Sequence, residues 1–349
     1  MNTTPLANQD AATLLRVDNL KVQFGVPRGG YPWSGKATLR AVDGVSFNVR
    51  RGETVGLVGE SGCGKSTLAR AIIGLAPVAS GSVRWLGDET VLPGARRDTS
   101  RLRRDVQMIF QDPLASLDPR MTINEIIAEP LRIHGLYKGE GSGRAKVRDL
   151  LRQVGLNPEH GNRYAHEFSG GQRQRIGVAR ALALQPKVLV LDEPVSALDV
   201  SIQAGVINLL EDLQEELGLS FLFISHDLSV VRHIADRIAV MYLGRIVETA
   251  PVEDLFRRAS HPYTQALISA IPLPDPHKER ERHRVLVTGE VPSPVNPPSG
   301  CRFRTRCPKF ANQLSSGEQE KCINELPPLV DRGAGHPVAC HYAEALQLV

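Results

Sequence analysis

The 349-residue chain contains no run of about 18 apolar residues, so no segment is expected to cross a membrane as a helix. Its first stretch, MNTTPLANQDAATLL, lacks the basic start and long apolar core of an export leader, and the chain is expected to stay in the cytoplasm. It also lacks a lysine- and arginine-rich tract interleaved with aromatics, and the net charge is only +4. A nucleic-acid surface is therefore not indicated. No internal repeat is visible. Five cysteines in a reducing compartment argue against a disulfide framework and leave metal binding, packing or redox chemistry open. With 42% hydrophobic and 23% charged residues, the chain has room for one large domain and a smaller one.

What is present begins with Gly59-Glu60-Ser61-Gly62-Cys63-Gly64-Lys65-Ser66-Thr67, placed between the apolar stretch Glu53-Thr-Val-Gly-Leu-Val58 and Leu68-Ala-Arg-Ala-Ile-Ile73. The run reads as strand, phosphate-binding loop and helix. Glycines at 59, 62 and 64 let the backbone turn its N–H groups inward toward an anionic phosphate chain at the helix N-terminus. Lys65 is expected to reach the β- and γ-phosphates and Ser66 to ligate Mg²⁺, with Thr67 adding a hydroxyl and a backbone donor. Cys63 occupies a variable position where only its backbone is needed.

Alternation predicts strands over 15–24 and 39–49, with a glycine- and proline-bearing insertion between them. Another strand is expected at 105–110, then turn residues from Asp112. Helical spacing over 123–133, 143–154 and 171–184, separated by the breakers Gly135, Gly139, Gly141, Pro158 and Gly161, predicts an inserted helical subdomain at about 112–182. Parallel-sheet rhythm resumes at 187–191, 219–224 and 237–241, around a helix over 201–217. The core is α/β. The expected organisation is a polar tail over 1–14, a nucleotide-binding unit over 15–250, and a proline-rich, cysteine-bearing unit of little periodicity over 251–349.

Four further groups sit where an open α/β sheet binds ligands, at the carboxyl ends of strands or at a helix start. Val188-Leu-Val-Leu ends in Asp192, expected near Mg²⁺, and Glu193, expected beside the attacking water. His226 follows Ser220-Phe-Leu-Phe-Ile-Ser225 and is expected to touch the γ-phosphate and the water. Gln111 follows Met108-Ile-Phe, where an amide can touch Mg²⁺ or the water. Ser169-Gly170-Gly171-Gln172 opens a helix with Ser169 as N-cap, a second anion-binding terminus. One γ-phosphate needs only one such loop, so this second terminus makes sense on nucleotide held by another subunit.

On these residues the chain resembles the nucleotide-binding subunits of ABC transporters, from about residue 17 to 247. The resemblance implies a RecA-like P-loop fold with an antiparallel β subdomain, the helical insert and a small cysteine-containing C-terminal extension. Gly59 to Thr67 look like the Walker A loop, Gln111 the Q-loop, Ser169 to Gln172 the signature, Asp192 and Glu193 the Walker B pair, Asp199 the D-loop and His226 the switch histidine. All stand in the family's order. Phe24 holds the place of the adenine-stacking aromatic, with Tyr31 and Trp33 as competitors, and spacing alone does not choose among these rings.

Phe110-Gln-Asp-Pro-Leu-Ala-Ser-Leu-Asp-Pro, Glu193-Pro-Val-Ser-Ala-Leu-Asp-Val-Ser, His261-Pro-Tyr-Thr-Gln-Ala-Leu and Pro292 through Cys307-Pro are similar to the oligopeptide and dipeptide permease ATPases. That resemblance implies a cytoplasmic ATPase at the inner membrane, energising uptake of oligopeptides or dipeptides, with nickel or another small solute as the alternative. It implies pairing with a second, OppD-like ATPase beneath two membrane-spanning permease subunits served by an extracytoplasmic peptide-binding protein. Soluble ABC ATPases acting on ribosomes or DNA are the rival class; they usually carry two cassettes or a long coiled-coil insertion, and neither is visible. Cys301, Cys307, Cys322 and Cys340 fit neither a zinc ribbon's close pairs nor a ferredoxin run, but four soft ligands in a core-poor segment suit a metal clamp. In the resembled subfamily these positions can hold a 4Fe–4S cluster, which the resemblance therefore leads one to expect, with zinc as the alternative to it and free thiols as the reading without metal.

Overall fold

In a computed structural model, which describes residues 12–28, 35–94, 100–272, 284–331 and 335–346 together with 275, 277 and 280, the chain is built on two sheets. The described strands, in chain order, are β1 (Thr13–Pro27), β2 (Lys36–Arg50), β3 (Thr54–Val58), β4 (Ser80–Trp85), β5 (Asp88–Val91), β6 (Val106–Ile109), β7 (Val188–Asp192), β8 (Ser220–Ser225), β9 (Arg237–Tyr242), β10 (Arg245–Pro251), β11 (Val330–Asp331) and β12 (Pro337–Val338). One sheet is antiparallel, in the order β2-β1-β4-β5. The other runs β11-β12-β10-β9-β3-β8-β7-β6 and is parallel from β9 through β6.

The apolar runs of β3, β7 and β8 follow from burial of both sheet faces. Val55, Leu57, Val188, Val190, Leu222 and Ile224 pack on one side against β1, β2 and the helix Lys65–Ile72. The alternate residues Leu189, Leu191, Phe221 and Phe223 pack on the other side against the remaining helices. All of these side chains are fully buried or nearly so. The sheet thereby holds the carboxyl ends of β3, β6, β7 and β8 along one edge, where the site forms.

The helices Pro113–Ser116, Ile123–Ile133, Gly139–Gln153 and Gly170–Leu182 fill the expected insert. Thr122 and Glu125 form a capping box that starts the second of them. Gly139 and Gly141, expected as breakers, lie in the first turn of the third helix. Glycine keeps its N–H and costs a helix only backbone entropy, on the order of 1 kcal/mol, which does not stop the helix from starting there. The strands β1 and β2 extend beyond the expected limits toward each other, and Arg28 N–H donates to the Gly35 carbonyl at 2.8 Å. Tyr31 and Trp33, with residues 1–11 of the expected tail, lie outside the described residues.

Beyond Pro251 the chain is more regular than its composition suggests. Helices Val252–Arg258, Pro262–Ser269, Pro308–Asn312 and Ser316–Asn324 are each too short to show a period in sequence. β12 pairs with β10, Glu248 opposite Val338, so the segment extends the main sheet. Cys301, Phe303 and Cys322 belong to the same apolar cluster as the helical face of the core.

Candidate active site

The loop after β3 is shaped by glycine. Gly64 has φ of 108°, and a Cβ there would stand 2.1 Å from the Ala41 carbonyl oxygen; at Gly59 it would stand 2.2 Å from that of Met241. No other residue fits between the loop and these backbones. Lys65, only 4% exposed, donates from Nζ to the carbonyl oxygens of Gly59 at 2.7 Å and Glu60 at 3.0 Å. Ser66 Oγ donates to Asp192 Oδ1 at 2.8 Å. Burial pushes the Asp192 carboxyl up from the ordinary range, against the pull of the Ser66 hydrogen bond, and neighbouring Glu193 adds to the rise.

Glu193 sits one residue past the end of β7, with its N–H bonded to the Ile224 carbonyl at 2.9 Å. Its φ of 49° is left-handed, a conformation that side chains other than glycine's adopt at a cost. Its Oε2 accepts from Gln111 Nε2 at 3.0 Å and lies 3.3 Å from His226 Nδ1. Residues from the ends of β6, β7 and β8 thus converge on one carboxylate. A cleft of about 710 Å³ is lined by Gly59, Glu60, Ser61, Gly62, Gly64, Lys65, Ser66, Thr67, Gln111, Glu193 and His226, with Leu39, Ala41, Leu267 and Pro294. Cys63 is buried, its thiol pushed up mainly by desolvation, and its carbonyl accepts from Gly244 N–H at 2.8 Å.

Phe24 is not among the residues lining the cleft. It is half-buried and pairs with Leu39, which does line it; directly paired residues of antiparallel strands share a face. Ser169 and Gln172 form a reciprocal capping box, with Ser169 N–H donating to Gln172 Oε1 at 3.0 Å. Neither they nor Gly170 and Gly171 line the cleft. The two glycines pack against Leu198 and Ile202, a Cβ at Gly171 standing 2.3 Å from the Ile202 side chain. Asp199 is exposed, N-caps the helix Val200–Leu217 with its backbone, and makes no side-chain cap bond. The structure therefore gathers the Walker-type residues and leaves the signature-type residues on a separate surface.

Cys301, Cys307, Cys322 and Cys340 line one small cavity of about 20 Å³, together with His261, Phe303 and Phe310. Burial pushes the Cys301 thiol up to about 12 and that of Cys340 up to about 11, and raises Cys307 and Cys322 as well. Among the described residues no three histidine, cysteine, aspartate or glutamate side chains are placed to hold a metal ion. The expected donor set is gathered, but its spacing does not form a metal site.

Sequence reasoning missed Tyr263, Leu267, Pro294 and Arg306. Leu267 and Pro294 border the cleft, and the other two reach the loop directly: Tyr263 Oη accepts from Glu60 N–H at 2.9 Å and Arg306 binds the Glu60 carboxylate with both terminal nitrogens. Tyr263 lies in the His261-Pro-Tyr-Thr-Gln motif and Arg306 in the stretch from Pro292 to Cys307-Pro, but neither motif by itself points at the phosphate loop.

A parallel sheet with this loop at the end of β3, and acids, amide and imidazole at the neighbouring strand ends, defines an α/β P-loop nucleotide-binding protein. The ABC transporter family model matches residues 42–196, and the model for the oligopeptide/dipeptide transporter C-terminal region matches 247–313. The oligopeptide transport ATP-binding protein OppF of Salmonella typhimurium is 58% identical over 329 residues, spanning 94% of this chain and 95% of that protein. The putative oligopeptide transport ATP-binding protein YkfD of Bacillus subtilis is 53% identical over 94% of this chain and 95% of its own length. Among solved structures, the ATP-binding cassette MJ0796, in a dimeric post-hydrolysis state bound to ADP and Pi, aligns with a TM-score of 0.59 at 27% identity over 68% of this chain and 99% of that one. The chain cbiO1 of Clostridium perfringens, part of the ABC transporter complex cbiONQ, gives 0.59 at 27% over 70% of this chain and 91% of its own. The chain belongs to the ATP-binding subunits of ABC transporters, in the OppF-like group.

Proposed function

We propose that this protein is the ATP-hydrolysing subunit of an importer that takes up oligopeptides across the bacterial inner membrane, working as a peripheral subunit at the cytoplasmic face. The observation that carries the chemistry is the convergence of Gln111 and His226 on the Glu193 carboxylate beside the Lys65 loop. The names of the relatives carry the substrate class. No described helix is long and apolar enough to cross a membrane, and in this reading membrane-spanning permease subunits form the transport path.

In this reading Gly59 to Thr67 wrap the triphosphate, with loop N–H groups and Lys65 facing its charge. The oxygen donors Ser66 and Asp192, with the Gln111 amide, suit a hard cation and would hold Mg²⁺. When bound, that ion neutralises charge on the β- and γ-oxygens. Glu193 accepts a proton from, or orients, the attacking water, and His226, whose Nδ1 faces that carboxylate at 3.3 Å, turns its other ring nitrogen toward the γ-phosphate side. Phe24, on the face it shares with Leu39, is the proposed adenine contact. Residues 15–250 are proposed as the ATPase unit, with its helical insert at 112–182, and 251–349 as the transporter-type C-terminal unit.

Ser169 and Gln172, both exposed at the start of their helix, support a head-to-tail pair with a second, OppD-like ATPase, in which Ser169, Gly170, Gly171 and Gln172 cap nucleotide held by the partner, and Asp199 lies at the seam. Val200 is 82% exposed beside it, an apolar side chain suited to cover by a partner. The likeness to a dimeric cassette agrees with this pairing. A groove of about 310 Å³ between Leu75 and Ile133, both apolar and exposed, supports docking of the permease subunits. An extracytoplasmic peptide-binding protein delivers substrate to the assembled complex. For the cysteine cavity we propose a 4Fe–4S cluster ahead of zinc, a reading supported by the four gathered soft donors and not by their spacing; protein purified without oxygen that carries neither iron nor zinc defeats it. The function itself is tested by uptake of labelled di-, tri- and tetrapeptides and nickel in cells lacking this chain, complemented by wild type or Lys65→Ala. Peptide uptake restored by wild type alone supports the proposal, and uptake of nickel alone overturns its substrate.

A further inference from the structure

The second residue of the phosphate loop is held from three directions. Glu60 N–H donates to Tyr263 Oη at 2.9 Å, the Glu60 carbonyl accepts from Lys65 Nζ at 3.0 Å, and its carboxylate takes a two-pronged bond from Arg306, at 2.8 Å and 3.1 Å. Tyr263 is 1% exposed and the Arg306 side chain 10%. The guanidinium also lies 5.9 Å from the centre of the Tyr242 ring, and its Nε donates to the Gly289 carbonyl at 3.2 Å. Tyr242, Tyr263 and Phe303 pack ring against ring behind it, with centroids 4.8 to 5.4 Å apart. Both anchors therefore stand on closely packed surroundings, and a bidentate guanidinium–carboxylate pair fixes orientation as well as distance.

A loop position whose amide, carbonyl and side chain are all fixed has little freedom to turn its peptide groups. The Glu60 peptide carries one of the two carbonyls that hold Lys65, so its orientation sets where the ammonium stands relative to the loop N–H groups. The generic phosphate loop needs only its own glycines, lysine and hydroxyl. Here two residues more than 200 positions downstream are added to it.

We propose that Arg306 and Tyr263, from the C-terminal segment, are positioning residues for ATP binding: they clamp the phosphate loop at Glu60 in its nucleotide-competent shape. This rests on the ATPase reading above. Loss of the clamp lets the loop sample other shapes, and apparent affinity falls by the fraction of time it spends in them.

The test is a double-mutant cycle on the full-length chain, titrated with ATP and Mg²⁺ by calorimetry, with ATPase turnover of the assembled complex as a second reading. Arg306→Ala is expected to weaken ATP binding about tenfold, with a smaller fall in kcat; Glu60→Gln is expected to match it, and the double variant to be no worse than either single one. Arg306→Lys, which keeps charge without the fork, is expected to fall between wild type and Arg306→Ala, and Tyr263→Phe to weaken binding a few-fold. Arg306→Ala with wild-type affinity, or a double variant whose loss is the product of the single losses, overturns the clamp while leaving the ATPase reading standing. A purely structural role would lower the melting temperature of both single variants without this coupling in affinity, and that result also overturns it. Wild-type protein that binds no ATP defeats both readings.

Discussion

Replacing Glu193 with glutamine exchanges one carboxylate oxygen for an NH₂ group and removes the charge, with little change of shape. Oε2 of Glu193 accepts from Gln111 Nε2 at 3.0 Å and faces His226 Nδ1 at 3.3 Å. A glutamine has a single acceptor oxygen, and only the orientation that presents it to Gln111 Nε2 avoids N–H against N–H. The network therefore selects that orientation and keeps the side chain in place. The left-handed backbone at 193 is equally strained for either residue, so melting temperature is expected to stay within about a degree. What is lost is basicity. A positioned general base contributes about 10²- to 10⁴-fold in rate, or about 3 to 5 kcal/mol of barrier. Lys65, Ser66 and the loop N–H groups are untouched, so ATP binding is expected to persist and, on the proposed head-to-tail pairing, the closed dimer to accumulate. Phosphate release from the membrane-embedded complex, read beside nucleotide retention, checks both halves. Unaltered turnover in Glu193→Gln would falsify the assignment of Glu193, and lost ATP binding would show that its role is structural.

Gly64→Ala puts a Cβ 2.1 Å from a carbonyl oxygen at φ of 108°, so nucleotide titration should find ATP binding abolished; a variant that binds normally contradicts the loop geometry. Phe223→Ala, which empties a fully buried site in the central sheet, should cost about 3 to 5 kcal/mol in denaturant unfolding. Burial pushes the His261 imidazole down from its ordinary 6.5 to about 4, opposed by Glu248. The folded state thus needs the neutral ring, and the stability this supplies is full above pH 6.5 and drains away as pH falls through about 4, by at most about 3 kcal/mol. Thermal melts between pH 7 and 4 should show this loss in wild type and less of it in His261→Asn, where the amide oxygen keeps the cap to Tyr263 N–H; an equal loss in both assigns the acid sensitivity elsewhere.

The parts of the site legible in sequence are those in which chemistry demands a residue type at fixed spacing. Gly59 to Thr67, Asp192 with Glu193, and His226 each follow an apolar strand, so one local pattern gives both the element and the group. Strands β4 and β5 escaped notice because Gly81, Arg84 and Asp88 break the apolar run of what proves to be the outer part of the antiparallel sheet. Gly139 and Gly141 misled because a glycine weakens a helix without stopping it. Arg306 and Glu60 stand 246 positions apart, and no local pattern encodes a partner at that distance. The cysteines were visible, yet whether four thiols close around an ion is a matter of ångströms.

The join of β12 to β10 makes the last hundred or so positions a selvedge of the main sheet. A protein trimmed at Pro251 would uncover β10 at Val247 and Glu248, where Ala339 and Val338 now lie, and free backbone groups there for a neighbouring molecule to pair with. Grafting the ATPase onto a foreign tail would meet the same difficulty unless the graft brought its own stitch opposite Glu248. The two units are thus to be inherited, engineered and expressed as one cloth.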